Sequence, residues 1–442
     1  MKKMHANLIV IILGASTVAA SANVMAAPDI TVFENATLID GTGAPSANNK
    51  TVVIDGNRIV RIVDDADQLT FPVDARRIDL NGAFLLPGLW NNHVHPSDIL
   101  PDPKKILGDE PLLAATIRAG RNLTDALRRG FTTVRSAGER DFIDVAWRDA
   151  FDNGVFVGPR VLASGPRLAS PGGWSRERPL ALEFEGPKAA KTATLSLIDK
   201  GVDVIKLMLN GLSEAEMKAV IDTAHEHGKK VAGDASEPYA GIAVNLGIDS
   251  IEHGDELTDE TIRLMVANEV AYDPTVVCNL SAMWIEERET FIASAIKEQA
   301  SDVVAGRVVV AYGDERGPAW AATQRDVLLR AHAAGVSITT GSDSNPAGEI
   351  GLLEIEMLVL WGLTEMEAIV AATKNSAAAA GLLDEVGTIE LGKIADMIVV
   401  AKDPLIHISH LRTLTMLVRD GNIIDTGAPE SRPSYFELFY LE

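Results

Sequence analysis

The sequence predicts an α/β protein: a (β/α)8 barrel joined to a small β-sandwich built from both chain ends. Three observations carry that expectation. Apolar strand-like runs alternate with helical stretches through residues 87–385. Short β-branched runs separated by tight turns fill 27–86 and recur in 386–442. Chemically loaded residues fall at the ends of the middle runs. Alternating strands and helices imply parallel strands, and eight such units are enough to close a barrel.

The end regions read as hairpins. ITVFENATLIDG, TVVIDGNRIVRIV and ARRIDLNGAFLLPG are punctuated by Asp-Gly, Gly-Asn and Asn-Gly, pairs that tolerate the positive φ of tight turns. VGTIELGKIADMIVVAKDPL and MLVRDGNIIDTG repeat that texture near the C-terminus. In the middle, the strand candidates are LWNNHVH, FTTVRSA, PRVLASG, VDVIKLML, KKVAGDA, SIEHG, VAYDPTVV and VSITTGSD, the last three the least regular. Helical segments such as SEAEMKAVIDTAHEHG separate them. An open, doubly wound sheet is the alternative, but no Gly-x-Gly-x-x-Gly phosphate loop follows the first strand.

Composition removes whole classes of function. Of the 442 residues, 47% are hydrophobic and 23% charged, as in ordinary globular chains. Lys and Arg number 40 against 62 Asp and Glu, a net charge of −22, which argues against a nucleic-acid partner or an anionic membrane surface. The single cysteine, Cys278, permits no internal disulfide and no cysteine-built zinc site, and it reads as a small buried apolar residue. Residues 1–26 read as a secretory signal peptide. Lys2 and Lys3 precede the apolar stretch Leu8 to Val18, and the small residues Val24 and Ala26 mark the cut. A retained N-terminal anchor is the other reading. The mature protein is therefore expected in a bacterial periplasm or secreted, off the membrane, and its partner is a small-molecule substrate. A homo-oligomer is compatible with such barrels.

Catalytic groups of a (β/α)8 barrel collect at the C-terminal ends of its strands. The first strand ends in His93-Val94-His95, and alternation along a strand points both imidazoles the same way, a pair of neutral nitrogen donors for a metal. The fourth carries Lys206 inside the apolar run VDVIKLML. A lysine there must be paired, neutral or modified, because a bare ammonium in an apolar interior is costly. The sixth ends in Ser250-Ile251-Glu252-His253-Gly254 and the eighth in Thr340-Gly341-Ser342-Asp343-Ser344. Each has a bland reading alone: Lys206 snorkelling, His253 satisfied in the core, Asp343 capping a helix. Their joint arrival at the ends of the first, fourth, sixth and eighth strands speaks for one site.

PGLWNNHVH, the Lys of VDVIKLM, SIEHG and TTGSDS, in that order, resemble the amidohydrolase superfamily of metal-dependent hydrolases, nearest its imidazolonepropionase-like and prolidase-like branch. NSAAAAGLLDEVGTIELGKIADMIVV is similar to that family's junction between the last barrel helices and the returning β-sandwich. The resemblance implies a distorted (β/α)8 barrel with a β-sandwich from both chain ends. It implies that His93, His95 and Asp343 hold one divalent ion, most often zinc and otherwise manganese. Lys206 would be N-carboxylated and bridge to a second ion, which His253 would bind. Metal-bound hydroxide would attack the scissile carbonyl, with Asp343 as the general base that later protonates the leaving group.

Two departures stand out. The fifth strand normally ends in a metal-binding histidine, but this chain reads Lys230-Val231-Ala232-Gly233-Asp234-Ala235. Asp234 takes that ligand position by its spacing to His253, unless a one-residue shift puts Gly233 there. The outcomes are a binuclear site with one oxygen ligand, or a single-metal site with Asp234 as a base or acceptor. Pro171-Gly172-Gly173-Trp174 departs from the Gly-Gly-His of prolidase-like members. Trp174 either lines the pocket, favouring an aromatic or bulky substrate group, or packs the loop.

The remaining polar residues carry less. Arg135 is expected to brace the barrel, Ser344 and Asn345 to shape their loop, and His225 and His227 to lie on a helix surface. The expected activity is hydrolysis of an amide or peptide-like C–N bond in a small molecule, dipeptides and N-acyl amino acids first. Lactone, ester, carbamate or phosphoester hydrolysis on the same site is the alternative within the class. A decayed binding protein of the same fold, or a metal-free enzyme pairing Asp234 with Asp343, would depart from it.

Overall fold

The computed structural model describes residues 30–64, 70–97, 111–172, 181–279, 318–343 and 345–426. The expected signal peptide, Trp174, Ser344 and the tail from 427 onward lie outside the described residues. The strands are β1 (Ile30–Leu38), β2 (Ala47–Asp55), β3 (Arg58–Val63), β4 (Arg76–Asp79), β5 (Phe84–Pro87), β6 (Leu89–Val94), β7 (Phe131–Ser136), β8 (Arg160–Leu162), β9 (Arg167–Ala169), β10 (Ala181–Glu183), β11 (Val204–Met208), β12 (Lys230–Ser236), β13 (Ser250–Asp255), β14 (Ala271–Asp273), β15 (Met397–Val400), β16 (Leu414–Arg419) and β17 (Asn422–Ile424). The helices are α1 (Leu112–Arg128), α2 (Ile143–Asp152), α3 (Pro187–Asp199), α4 (Glu214–Glu226), α5 (Tyr239–Asn245), α6 (Asp259–Ala267), α7 (Pro318–Ala334), α8 (Ala347–Trp361), α9 (Glu365–Val370) and α10 (Ser376–Ala379).

Both chain ends meet in one mixed sheet, ordered β17-β16-β15-β5-β1-β2-β3, with β4 sharing an edge of β1. The seam is antiparallel, Met397 opposite Pro87 and Val400 opposite Phe84. The runs FLLP and MIVV are apolar throughout because these two strands are buried on both faces. Leu85, Met397 and Val399 point into the core of the terminal sheet. Leu86, Ile398 and Val400 point the other way, into the main core. Period-two alternation thus welds the terminal sheet onto the middle of the chain.

The middle is mixed α/β with parallel strands. β6-β7-β8 form one parallel sheet and β10-β9-β11-β12-β13-β14 another. Their ladders do not form a single closed barrel among the described residues. Two seams carry isolated backbone bonds instead. On one side Asp203 N donates to Ala163 O at 2.7 Å, and on the other Asn92 N donates to Thr340 O at 2.7 Å.

The expected strand VSITTGSD is not a regular strand. Its one bridge pairs Ile338 with Tyr272. The Asn91 side chain intervenes, accepting from Ser342 N at 3.0 Å and donating to Ser342 Oγ at 2.8 Å, so side-chain bonds replace the ladder. The expected third strand, PRVLASG, is shortened to β8. The chain turns at Gly165, with φ 61°, and pairs again as β9. β10 then adds a pairing that the sequence did not signal. Local helix signals behave as expected: in α4, Ser213 and Glu216 form a reciprocal capping box. No helix among the described residues is long and apolar enough to cross a membrane.

Candidate metal centre

His93 and His95 leave the end of β6 on one side, their ring centroids 5.4 Å apart. Each imidazole is held by its Nδ1. His95 Nδ1 lies 2.8 Å from Gly138 O, and a carbonyl only accepts, so that nitrogen carries the hydrogen. His93 Nδ1 lies 2.9 Å from Glu252 Oε2. Both Nε2 atoms face Asp343, whose Oδ1 is 2.9 Å from His95 and 3.5 Å from His93, and the Arg167 guanidinium lies 3.3 Å from His95 Nε2. Outer partners that fix tautomer and ring orientation in this way are the usual surroundings of metal-ligating histidines. Burial, then the Lys206 cation, pushes His93 down to about 3, so it is neutral and able to donate a lone pair.

Glu252 is the anchor that the sequence reading passed over inside SIEHG. It is fully buried and accepts from Arg135 NH2 at 2.7 Å on both oxygens, from Ser250 Oγ at 2.6 Å, and from His93. Burial alone would raise its pKa, but the Arg135 guanidinium and the His93 bond hold it well below the carboxylate range. Arg135 also donates to Asn92 O at 2.6 Å, so it braces two strands of the site.

The other predicted residues converge on the same place. On β12, Asp234 sits in register with Glu252 on β13. A Cβ on Gly233 would strike Ile248 and Leu209 at 2.4 and 2.6 Å, so Gly233 faces the outer packing and Asp234 the site. Of the two residues, Asp234 is therefore the one turned toward His253. Asp234 Oδ2 lies 3.2 Å from His253 Nε2, and Asp343 Oδ2 lies 3.9 Å from the same nitrogen. Burial opposes the charge on both carboxylates, yet His253 holds Asp234 down and His93 with His95 hold Asp343 well below normal.

Lys206, 1% exposed on β11, has no hydrogen-bond partner for its Nζ, and burial lowers its pKa. Asp273, at the end of β14, has its nearest cation, Arg135 NH2, 3.9 Å away, and burial followed by repulsion from Glu252 pushes it up to about 7. An orphaned buried group such as Lys206 demands an explanation, and a polyvalent cation with its ligands supplies one. Backbone strain gathers here as well: Asp343, His253 and Thr275 adopt φ of 43°, 62° and 44°.

Donor atoms of His93, His95 and Asp343 lie within 4.8 Å of one another, as do those of His253, Cys278 and Asp343. The donor set of imidazoles and carboxylates suits zinc or manganese. Cys278 is buried, as expected, and its sulfur lies within 4.8 Å of donor atoms of His253 and Asp343. Asn345 Nδ2 donates to His95 O at 2.7 Å, a bond that shapes the loop. His225 and His227 are exposed at the end of α4, paired with Asp249 and with Thr223 O.

The amidohydrolase family model matches residues 84–426, a span that contains every residue of this site. The chain belongs to the amidohydrolase family. This amidohydrolase is 27% identical to the ochratoxinase of Aspergillus niger over 430 residues, 85% of this chain and 82% of that protein. It is 28% identical over 193 residues to the imidazolonepropionase of Sphingopyxis alaskensis, 42% of this chain and 39% of the other. Among solved structures, a Xaa-Pro dipeptidase with methionine bound in its active site matches with a TM-score of 0.75 at 26% identity, covering 89% of this chain and 99% of its own. Relatives of both kinds that the sequence resembles are therefore found. The family makes this amidohydrolase a hydrolase.

Proposed function

We propose that this amidohydrolase cleaves an amide or peptide-like C–N bond in a small molecule of dipeptide or N-acyl amino acid type. One observation carries the proposal: His93, His95 and Asp343 present converging donor atoms beside a buried Lys206 that has no hydrogen-bond partner. Similarity to ochratoxinase and to a Xaa-Pro dipeptidase supports the substrate class.

In the proposed roles, His93, His95 and Asp343 hold one divalent ion, and Lys206, His253 and Asp234 hold a second when Lys206 is carboxylated. Bound metal supplies a Lewis acid and lowers the pKa of water. The chain's own residues do the rest. Asp343 accepts a proton from the attacking water and returns it to the departing nitrogen as the C–N bond breaks and the C–O bond forms. Glu252 and Arg135 hold His93 in the tautomer that keeps its Nε2 lone pair toward the site. Burial of His93, Glu252, Arg135 and Lys206 strengthens the charge interactions among them.

For the fold, we propose that the two isolated seams close the parallel sheets into a distorted (β/α)8 barrel, with 27–86 and 386–442 as a β-sandwich. The separate core of the terminal sheet supports the second unit. Export from the cytoplasm by cleavage after Ala26 belongs to the same proposal, and N-terminal sequencing of the exported protein would test it.

Elemental analysis of protein purified without chelator or nickel, followed by a panel of dipeptides and N-acyl amino acids, tests the function. Bound zinc or manganese with turnover on that panel is the expected result. Metal with turnover only on lactones or esters would move the substrate class. Absence of metal, with no activity on adding it, would overturn the proposal. Asp234 in place of histidine favours the single-metal variant as the second reading.

A further inference from the structure

We infer that Cys278 is a metal ligand: its sulfur joins His253 and Asp343 at the second cation position, making up for the absent fifth-strand histidine. The inference deepens the metal reading above and rests on it. Ligand atoms of His253, Cys278 and Asp343 lie within 4.8 Å of one another. Asp343 is shared with the His93–His95 group, so a single carboxylate stands between two donor sets.

The local structure aims the thiol at the site. Cys278 is 3% exposed and follows Val276 and Val277, which belong to the apolar core. The turn that carries it is fixed from below by Glu354 of α8, whose Oε1 and Oε2 accept from Val276 N at 2.8 Å and Val277 N at 2.7 Å. Thr275, held at positive φ, lies 2.6 Å from His253 Nδ1 through its Oγ1, which turns His253 Nε2 toward the carboxylates. Cys278 lies close enough to His253 to act on the imidazole's charge. Independently, the Lys206 amine is buried to 1% without a hydrogen-bond partner, and its charge couples to Asp234 and Asp343 of the same group. A cation with anionic ligands is what such a group of donors lacks.

The chemistry is balanced and needs no oxidant or reductant. The S–H bond breaks, the proton leaves to solvent, and the sulfur lone pair forms the bond to the cation. A soft sulfur donor beside one imidazole and carboxylate oxygens favours zinc, cobalt or cadmium over magnesium or manganese at that position.

The chain has one cysteine, so any thiolate-to-metal transition must come from Cys278. Metal-stripped protein would be titrated with Co2+ alone while visible and near-ultraviolet spectra are recorded. The expected result is visible cobalt bands together with a near-ultraviolet sulfur-to-cobalt charge-transfer band. In Cys278→Ser that band should be lost while the visible bands of the remaining site persist. Bound cobalt without the sulfur band would overturn the inference and leave the metal reading intact. No bound cobalt would overturn both. Should Cys278→Ser not fold, thiol titration of the wild-type protein decides. Loss of Cys278 reactivity on metal loading is expected, and reactivity equal with and without metal would overturn the inference.

Discussion

Asp343 Oδ1 lies 2.9 Å from His95 Nε2, while the second oxygen of the same carboxylate turns 3.9 Å from His253. One side chain therefore reaches both donor groups, at a residue whose backbone is itself held in the left-handed region. Asp343→Asn keeps the size and removes the charge. The expected outcome is a kcat lower by about 10²–10⁴-fold, with a Tm near that of the wild type. Unchanged kcat would remove Asp343 from proton transfer.

His93→Ala with His95→Ala deletes two neutral nitrogen donors and leaves Asp343 without either imidazole. Turnover should fall to background, and metal content should fall by the ion that this pair holds. A fully active double variant would refute the assignment of this strand as the metal clamp.

Asp234→His places a nitrogen donor where the family resemblance leads one to expect a fifth-strand histidine. Asp234 faces the site and lies 3.2 Å from His253, so the new imidazole would reach the same space. Retained metal and turnover are expected if Asp234 is a ligand. Loss of metal would show that the carboxylate charge serves the Lys206–His253 neighbourhood in another way.

Much of this site was legible because strands write themselves in period two. His93 with His95, Lys206 inside an apolar run, and His253 after SIE each stand out against an apolar background. What sequence left out are the partners drawn from far along the chain. Glu252 lies 159 residues from the imidazole it orients. A buried acid inside a strand needs a cation, and Arg135 in another strand was already a bracing candidate, so that pair was within reach. Cys278 was not: nothing in VVCNL marks a thiol as turned toward His253 rather than into the core. The eighth strand failed for a similar reason, since the Asn91 side chain takes over bonds that periodicity assigns to a ladder.

Glu354 gives a prediction in pH. Burial, opposed by the two backbone donors, pushes its carboxyl up to about 8 from 4.5. Between those values the folded chain keeps a proton that the unfolded chain has released. Stability from this group is therefore full below about 4.5 and is lost as pH rises toward about 8, with a slope of at most about 1.4 kcal/mol per pH unit. Glu354→Gln should flatten that slope, read from denaturant midpoints across the window. It should also lower stability by about 1–3 kcal/mol, because one of the two N–H groups loses its acceptor. An unchanged slope would assign the pH dependence to another group.

Gly341 tests how closely the irregular eighth segment is fitted to the site. A Cβ there would meet His93 Cβ at 2.4 Å and both Asp273 oxygens at 2.6 Å, closer than real side chains approach. All of these neighbours are fully buried, so the strain has no solvent-facing outlet. Gly341→Ala must shift either His93, whose Nδ1 is pinned by Glu252, or the Asp273 carboxylate. Overpacking of this kind costs about 1–3 kcal/mol. Displacing His93 would also open the His93–His95–Asp343 donor group, so a drop in Tm should come with a loss of bound metal. A stabilised fold that still loses metal would point to His93 as the side chain that moves. If Tm, metal content and turnover all held, the segment would have to slide freely past β6, against the Asn92–Thr340 and His93–Asp343 backbone bonds that tie the two together.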